Sequence, residues 1–425
     1  MAHLAVTRSS AIGLVSAAEE PGYQASLRQP RLFYYGGLLL VGQLTLRPAL
    51  SLTLSDFAFF AALILTLPTS AGRRASAQGY VPPGILVGSY LFALGALLST
   101  FGSPEPVQSL AVVTRFVFLT VVWLWLGTVV LRRQEHVRTA VACWVLSLAA
   151  SGAAAMAQLL WGDVIPGSTV FYGRMTGFAQ HINDLGGSSA VAIVAAIWLA
   201  RTSRGSTLFR TAAVLAVLLI GAGLVLSGSV GGLLAATTGV AVFVILSPPS
   251  PRLVAIFILA AGAAFGLVRL QVLHDAPTPL ERIERVREEG GTLSSRLETY
   301  QSAIGRIERN PVFGVGLRTG GAPTDTGYQV HDSLLGAWYE GGCLAALGLV
   351  VVVGTSASVA LAARKHARTG EERLLATALL ACFAAYLAFG MGAPTLYSRY
   401  GWVPVALVLA QRAQQRRTER GDMST

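Results

Sequence analysis

Apolar residues run in long uninterrupted stretches along almost the whole chain. They fall at 32–47, 53–69, 82–101, 107–131, 139–160, 184–200, 209–227, 230–247, 253–271, 333–362, 374–392 and 397–411. Stretches of this length match the roughly 30 Å of hydrocarbon in a bilayer, so they predict twelve transmembrane helices. Between the ninth and tenth the pattern breaks, and residues 271–332 are largely polar. The expected organisation is therefore an N-terminal segment 1–31, spans one to nine over 32–270, a polar loop 271–332, spans ten to twelve over 333–411, and a basic tail 412–425. The first thirty residues contain no compact apolar run behind a basic start, so the first span is expected to remain in the mature chain.

Basic residues set the expected orientation. Arg73 and Arg74, Arg132, Arg133 and Arg138, Arg201, Arg204 and Arg210, Arg252, Arg364 to Arg373, and the tail Arg412 to Arg420 fall on alternate connections, while the opposite short loops hold Arg47, Arg174 and Arg399. The positive-inside rule then puts both termini in the cytoplasm and the loops 161–183 and 271–332 outside.

Within the long loop, Leu293, Leu297, Tyr300, Ile304 and Ile307 recur at three- and four-residue spacing, which predicts an amphipathic helix. Ser295-Arg296-Leu297-Glu298 reads as the capping box that opens it, and Asn310-Pro311 as its end. On that reading Arg296 stands at the first helical position, where a cation opposes the helix dipole and an anionic ligand would compensate it. Arg282, Arg285, Arg287, Arg306 and Arg309, interleaved with glutamates, read as solvated surface charge, and Leu280 to Glu289 as a short charged surface helix. The stretch from Arg318 to Gly327 is rich in glycine, threonine and proline without periodicity, as a cover over a site would be.

Composition narrows the class. The 425 residues are 53% hydrophobic and 12% charged, about half the charge of a soluble domain, which excludes a single water-soluble globule. The net charge of +11 lies mostly in the arginine-bearing connections expected to face the cytoplasm, where anionic lipid headgroups are the partner, so nucleic acid is not expected. Cys143, Cys343 and Cys382 form no CxxC and fall in or beside spans, as small apolar fillers do. No histidine or carboxylate spacing suggests a metal site, no phosphate-binding fingerprint is present, and no cofactor is expected.

Two loop residues stand apart from this background. His331 lies where the polar loop re-enters the apolar pattern, next to Asp332, and a histidine tuned near neutral pH can take a proton from a hydroxyl. An interfacial histidine held by hydrogen bonds would look the same by position. Arg174 is bracketed by Gly173 and Gly177 in the loop before span six. Guanidinium groups bind phosphate oxygens in a bidentate way, so Arg174 and Arg296, from two loops of one side, form a natural pair for a pyrophosphate.

Three elements, in order, resemble the O-antigen ligase and polymerase family of bacterial envelope glycan assembly. They are Gly173-Arg174-Met175-Thr176-Gly177-Phe178 followed by His181-Ile182-Asn183; Ser227-Gly228-Ser229-Val230-Gly231-Gly232; and a loop with Ser295-Arg296, Tyr300, Asn310 to Gly316, His331-Asp332 and Glu340-Gly341-Gly342. Three positions depart from the family pattern. Val230 stands where the family has arginine, Ile182 where it has proline, and Asp332 where it has asparagine. Arg115, inside the fourth span, and Arg399, at the outer end of the last, are candidates to replace the missing arginine.

The resemblance implies an all-α fold of glycosyltransferase type C. It implies transfer of a glycan from undecaprenyl diphosphate to an acceptor hydroxyl, on a glycan or a lipid-linked repeat unit, at the outer face of the bacterial cytoplasmic membrane. Arg174 and Arg296 would hold the diphosphate and His331 would activate the acceptor, with inversion at the anomeric centre and without a metal. Arg115, Arg318, Asp332 and Arg399 are secondary candidates for substrate binding. A polymerase is favoured over a ligase, whose defined acceptor would need a recognition element that is not visible. A transporter of lipid-linked sugar or a small anion would instead show ionisable groups at the bilayer midplane or broken helices. A scaffold in an envelope assembly complex would need none of these residues.

Overall fold

The structure is a computed structural model that describes residues 25–42, 53–71, 79–163, 170, 173–203, 207–274, 276, 278, 281, 284, 291–318, 321–395 and 397–419. Arg47, Arg73, Arg74, Arg204, Arg420 and most of the segment expected as a charged surface helix lie outside them. Among the described residues the chain is helical: α1 (Arg28–Leu39), α2 (Leu54–Ala71), α3 (Pro83–Thr100), α4 (Pro106–Val130), α5 (Gln134–Trp161), α6 (Ile182–Thr202), α7 (Thr207–Leu226), α8 (Val230–Leu246), α9 (Pro251–Leu273), α10 (Gly291–Arg309), α11 (Ser333–Lys365), α12 (Gly370–Gly390) and α13 (Arg399–Glu419).

Each of the twelve predicted stretches contains a helix. Among the described residues, eight helices are long and apolar enough to cross a membrane by length and composition, namely α3 to α7, α9, α11 and α12. Helices α2 and α8 are apolar but shorter. The last helix runs past its predicted end to Glu419, and its second half carries Gln411, Gln414, Gln415 and Arg417, all buried. The chain is thus an integral membrane protein with an all-helical fold, and twelve crossings are not reached on this measure.

Helix α6 sits at the centre, with every residue from Leu185 to Ala200 buried. Its glycines, serines and alanines let neighbours approach closely, the mode of packing that works where lipid offers no hydrophobic drive. A Cβ at Gly232 of α8 would lie 3.0 Å from the Gly186 backbone of α6, and one at Gly186 would lie 2.5 Å from Ser229 Cβ. The N-terminal ends of α6 and α8 are therefore in direct contact. Helices α3 and α11 meet along a second small-residue seam, where a Cβ at Gly88 would lie 2.7 Å from Gly348 O and one at Gly95 would lie 2.8 Å from Gly341 O.

The bundle has two chemically distinct ends. At one, arginines close the carbonyl ends of helices: Arg31 Nε donates to Val130 O at 2.9 Å, Arg417 Nη2 to Thr128 O at 2.8 Å and Arg364 Nη2 to Leu246 O at 3.3 Å. Cations at helix C-termini complement the dipole, so these arginines have a structural use besides any orienting one. The other end gathers the polar loops and α10.

Helix α10 begins at Gly291, four residues before the predicted capping box. Extending a helix costs far less than starting one, and the first turn runs back as far as that glycine. Ser295 is consequently inside the helix, with its carbonyl accepting from Thr299 Oγ1 at 2.7 Å. Arg296 is in the second turn, and the dipole conflict expected at a first position does not arise. The end at Arg309 and the Asn310 turn are as predicted, with Asn310 Oδ1 accepting from Phe313 N at 3.3 Å. The helix packs Ala303 and Ile307 against Ala322, Val330 and Tyr339, which fixes it over the entry to α11.

That entry is broken. Gly342 has φ 76° and ψ −177° inside α11, so residues 333–341 and 343–365 are two helices in one span. The break frees backbone groups that a membrane cannot hydrate, and the turn after α10 takes them up. Val315 N donates to Tyr339 O at 3.0 Å, Gly316 N to Glu340 O at 2.9 Å, and Cys343 N to Pro311 O at 3.2 Å. There is no room for a side chain at the joint, because a Cβ at Gly342 would clash with Val312 O and one at Gly314 with Glu340 O.

Gly342→Ala is therefore expected to cost at least about 1–3 kcal/mol of backbone strain, before the clash. Gly354→Ala, on the same helix with nothing within 4 Å of its Cβ, should be neutral or stabilising by about 1 kcal/mol. Thermal unfolding in detergent compares them; equal midpoints would remove the joint from the account.

Candidate functional site

Four loops and helix ends converge at the polar end. The turn before α6 carries Arg174, which is buried, with Nε donating to Ser227 O at 2.7 Å and Nη2 reaching Asn183 Oδ1 at 3.5 Å. Gly228 has φ 58°, and a Cβ there would lie 2.9 Å from Arg174 Nε, so the Ser227-Gly228-Ser229 turn wraps the guanidinium closely. Ser229 then caps α8, its Oγ accepting from Gly232 N at 3.2 Å. Asn183 lies in the first turn of α6, whose N-cap is His181. Two helix N-termini thus sit beside one buried arginine, an arrangement that favours an anion.

The connection to the second arginine runs through Phe389 at the end of α12. A Cβ at Gly231 would lie 3.6 Å from its ring, and Gly187 of α6 abuts the same ring. One residue on, Gly390 faces Ser333 Oγ and Thr395 Oγ1 at 3.0 and 3.1 Å, and Gly392 faces Arg296 Nη1 at 3.9 Å, as measured from a Cβ built at each. Arg296 is half-buried and forms no ion pair among the described residues. It lies within electrostatic reach of Tyr300 and His331.

His331 is the best-defined group of the site. Its Nδ1 lies 2.7 Å from Gln329 O. A carbonyl can only accept, so Nδ1 carries the proton and the neutral ring presents its lone pair at Nε2. Burial lowers the pKa below its ordinary 6.5, and the charges of Arg296 and His181 lower it further, against the opposing backbone bond to Gln329. The ring is therefore neutral at neutral pH. His181 is held the other way round, with Nδ1 accepting from Asn183 N at 3.1 Å, which leaves the proton of its neutral form on Nε2. The pair presents one acceptor and one donor.

The other candidates take different places. Asp332 caps α11, its Oδ1 accepting from Leu335 N at 2.7 Å, and so helps hold His331 at a helix start. Arg318 pairs with Glu105 at 3.2 Å and lines a separate cavity with Arg306 and Arg309. Arg115 lies in α4, one helical turn before a π-helical stretch at Phe118–Trp123, and within electrostatic reach of Tyr397. Arg399 is a two-pronged partner of Asp56 on α2, with Nε 2.6 Å from Oδ1 and Nη2 also bonded to Oδ2. Both side chains are buried, so this guanidinium is used in the fold. Neither Arg115 nor Arg399 fills the serine-glycine turn; Arg174 does.

Two groups that read in the sequence only as motif members, without a role in the site, matter here. Glu340 is buried, with Oε1 accepting from Ala322 N at 2.9 Å and Oε2 from Tyr397 Oη at 3.3 Å. It ties the glycine-rich cover to the loop beside Arg296, and the signal for it was a carboxylate two residues before the glycine of a broken helix. Asn183 reads in sequence only as the end of a motif, and its contact with Arg174 requires the fold.

Breaking the Asp56–Arg399 pair should destabilise the protein by about 3–5 kcal/mol, since one charge stays buried alone. Asp56→Asn and Arg399→Gln should each lower the unfolding midpoint, and the double variant should recover part of the loss. A midpoint unchanged in Arg399→Gln, with weaker donor binding instead, would return Arg399 to the site.

No curated protein matches the chain. Residues 215–350, from the middle of α7 to beyond the joint in α11, match the family described as O-antigen ligase. The matched stretch holds the serine-glycine turn, Arg296, the Asn310–Gly316 turn, His331 and Glu340 to Gly342, while Arg174 precedes it. The enzymes of that description supply a ligase- or polymerase-like role in polysaccharide biosynthesis, with lipid-linked glycans and acceptors as partners. Residues 215–350 of this membrane protein thus match the O-antigen ligase family model, and the resemblance drawn from its motifs is borne out over that stretch.

Proposed function

We propose that this chain transfers a glycan from undecaprenyl diphosphate to an acceptor hydroxyl at the outer face of the bacterial cytoplasmic membrane, with both termini in the cytoplasm. The observation that carries this reading is the convergence of Arg174, Arg296 and a neutral His331 at one end of the bundle. His331 Nε2 takes the proton of the acceptor hydroxyl as its oxygen attacks the anomeric carbon. The bond from that carbon to the diphosphate oxygen breaks, and the charge that grows on the diphosphate is met by Arg174, Arg296 and the helix N-termini beside Arg174. Attack opposite the leaving group inverts the anomeric centre. The guanidinium groups carry the role a metal would otherwise fill, so the reaction needs none.

We favour repeated transfer onto a lipid-linked repeat unit, a polymerase, and assign acceptor choice to the stretch from Arg318 to Val330. A broken helix is also what a transporter would show. Here the groups freed at Gly342 are taken up by the turn at 311–316, which argues against an ion or substrate binding at the break.

The test is the purified protein in liposomes with its lipid-linked repeat unit, with products resolved by length in chelator-treated buffer. Wild type should yield a ladder. Removing a preorganised positive group should cost about 10²–10³-fold in rate, in Arg174→Ala and in Arg296→Ala. His331→Ala should lose about 10²–10⁴-fold. The base must be neutral, so the wild-type rate should be level at neutral pH and fall as pH drops through a value below 6.5. One discrete product on an added acceptor would mean a ligase. A rate unchanged in all three variants would sink the proposed site.

A further inference from the structure

Beside the C-terminal half of α10, two cavities adjoin. One, of about 340 Å³, receives Arg306, Arg309 and Arg318. The other, of about 600 Å³, is lined by Leu98, Phe101, Asn310 and Phe313. They share Pro104, Arg306 and Val315, so they form one trough with a cationic end and an apolar end. Ten residues separate Arg296 from Arg306, or about 15 Å along the helix, so the cationic end is distinct from the candidate active site.

The cavity lining itself is predominantly cationic. Arg318 is paired with Glu105 and within electrostatic reach of the buried Glu340, and Asp325 is, among the described residues, the one carboxylate that lines the cavity beside the three guanidiniums. Arg309 Nε is bonded to Gly305 O at 3.0 Å. Arg306 forms no ion pair among the described residues. The last turn of α10 favours cations for its own dipole, but Arg318 reaches the same cavity from a loop, which the dipole does not explain. At the apolar end, Phe101 is 90% exposed and Phe313 49%. These aromatic side chains, at the mouth of α3 and α4, stand where a bilayer interface would meet the protein.

A trough with guanidiniums at one end and exposed aromatic rings at the other complements an amphiphile with an anionic head. We infer that it binds the phosphate-bearing head of a second membrane amphiphile, separately from the lipid diphosphate assigned to Arg174 and Arg296. Guanidinium groups suit phosphate oxygens, and the ledge at Leu98, Phe101 and Phe313 would take the first carbons of the chain. Only the identity of that amphiphile as the lipid-linked acceptor rests on the function proposed above; an ordinary phospholipid headgroup has the same chemistry.

The test is photolabelling in phosphatidylcholine vesicles with a phosphatidic acid that carries a diazirine in its acyl chain, beside the uncharged diacylglycerol counterpart. The charged probe should label the segments 98–107 and 310–316 at least fivefold more than the uncharged one. Arg306→Gln with Arg309→Gln, both at exposed positions, should bring it down to the uncharged level, and Arg174→Ala should leave it unchanged. Competition by a polyprenyl monophosphate at much lower concentration than unlabelled phosphatidic acid would identify a lipid-linked substrate, and equal competition a phospholipid; the site stands in both cases. Equal labelling by the two probes, labelling indifferent to the double substitution, loss in Arg174→Ala, or full competition by inorganic phosphate would overturn it. The readout does not depend on transfer, so a failed transfer assay and a failed trough are told apart.

Discussion

The polar end of this protein depends on a broken helix. Residues 333–365 would run as one helix through the membrane, but Gly342 adopts a conformation that side-chain-bearing residues avoid, and the backbone groups it frees must find partners. Pro311, Val315 and Gly316 supply them from the turn after α10. The same contacts therefore terminate the break and anchor α10, with Arg296 on it, to the helix that begins beside His331. Glu340, about two turns from the helix start beside His331, extends the tie to Ala322 and Tyr397. Two motifs far apart in the chain, Asn310 to Gly316 and Glu340 to Gly342, are the two halves of one joint.

Under the proposed function, the electrostatics around that joint suit a negative charge that grows during reaction. Arg174 is buried and held by a carbonyl of the serine-glycine turn, so its position is fixed before any ligand arrives. Arg296 is less constrained, on a helix whose anchoring lies further along. His331 is kept neutral by burial and by the charge of Arg296 beside it, which is the state the proposed general base needs. A preorganised, partly desolvated set of this kind stabilises developing charge more than the same groups would in water.

Much of this was legible in the residues. Long apolar runs located each helix of the bundle, because hydrocarbon thickness imposes their length, but not every end: the last helix runs on to Glu419 and the first stops at Leu39. The end of α10 at Asn310-Pro311 was readable, since proline and asparagine chemistry is local. Its start was not: the Ser295 capping box has the right residues, yet helix extension to Gly291 prevailed, and the case for Arg296 now rests on its neighbours rather than on a dipole. Arg399 looked like a substrate group because its partner, Asp56, lies 343 positions away in sequence. That Arg174 occupies the serine-glycine turn, where Val230 replaces the family's arginine, needed the packing of Gly186 on Gly232, which no local pattern reveals.

The central claim is a single direct displacement, in which His331 deprotonates the acceptor and the diphosphate leaves from the opposite side. It is tested most directly by the anomeric configuration of the bond made in one turnover, read by nuclear magnetic resonance on product from a donor of known configuration. The account predicts inversion. Retention would require a covalent glycosyl intermediate or an attack from the same side, and would contradict it.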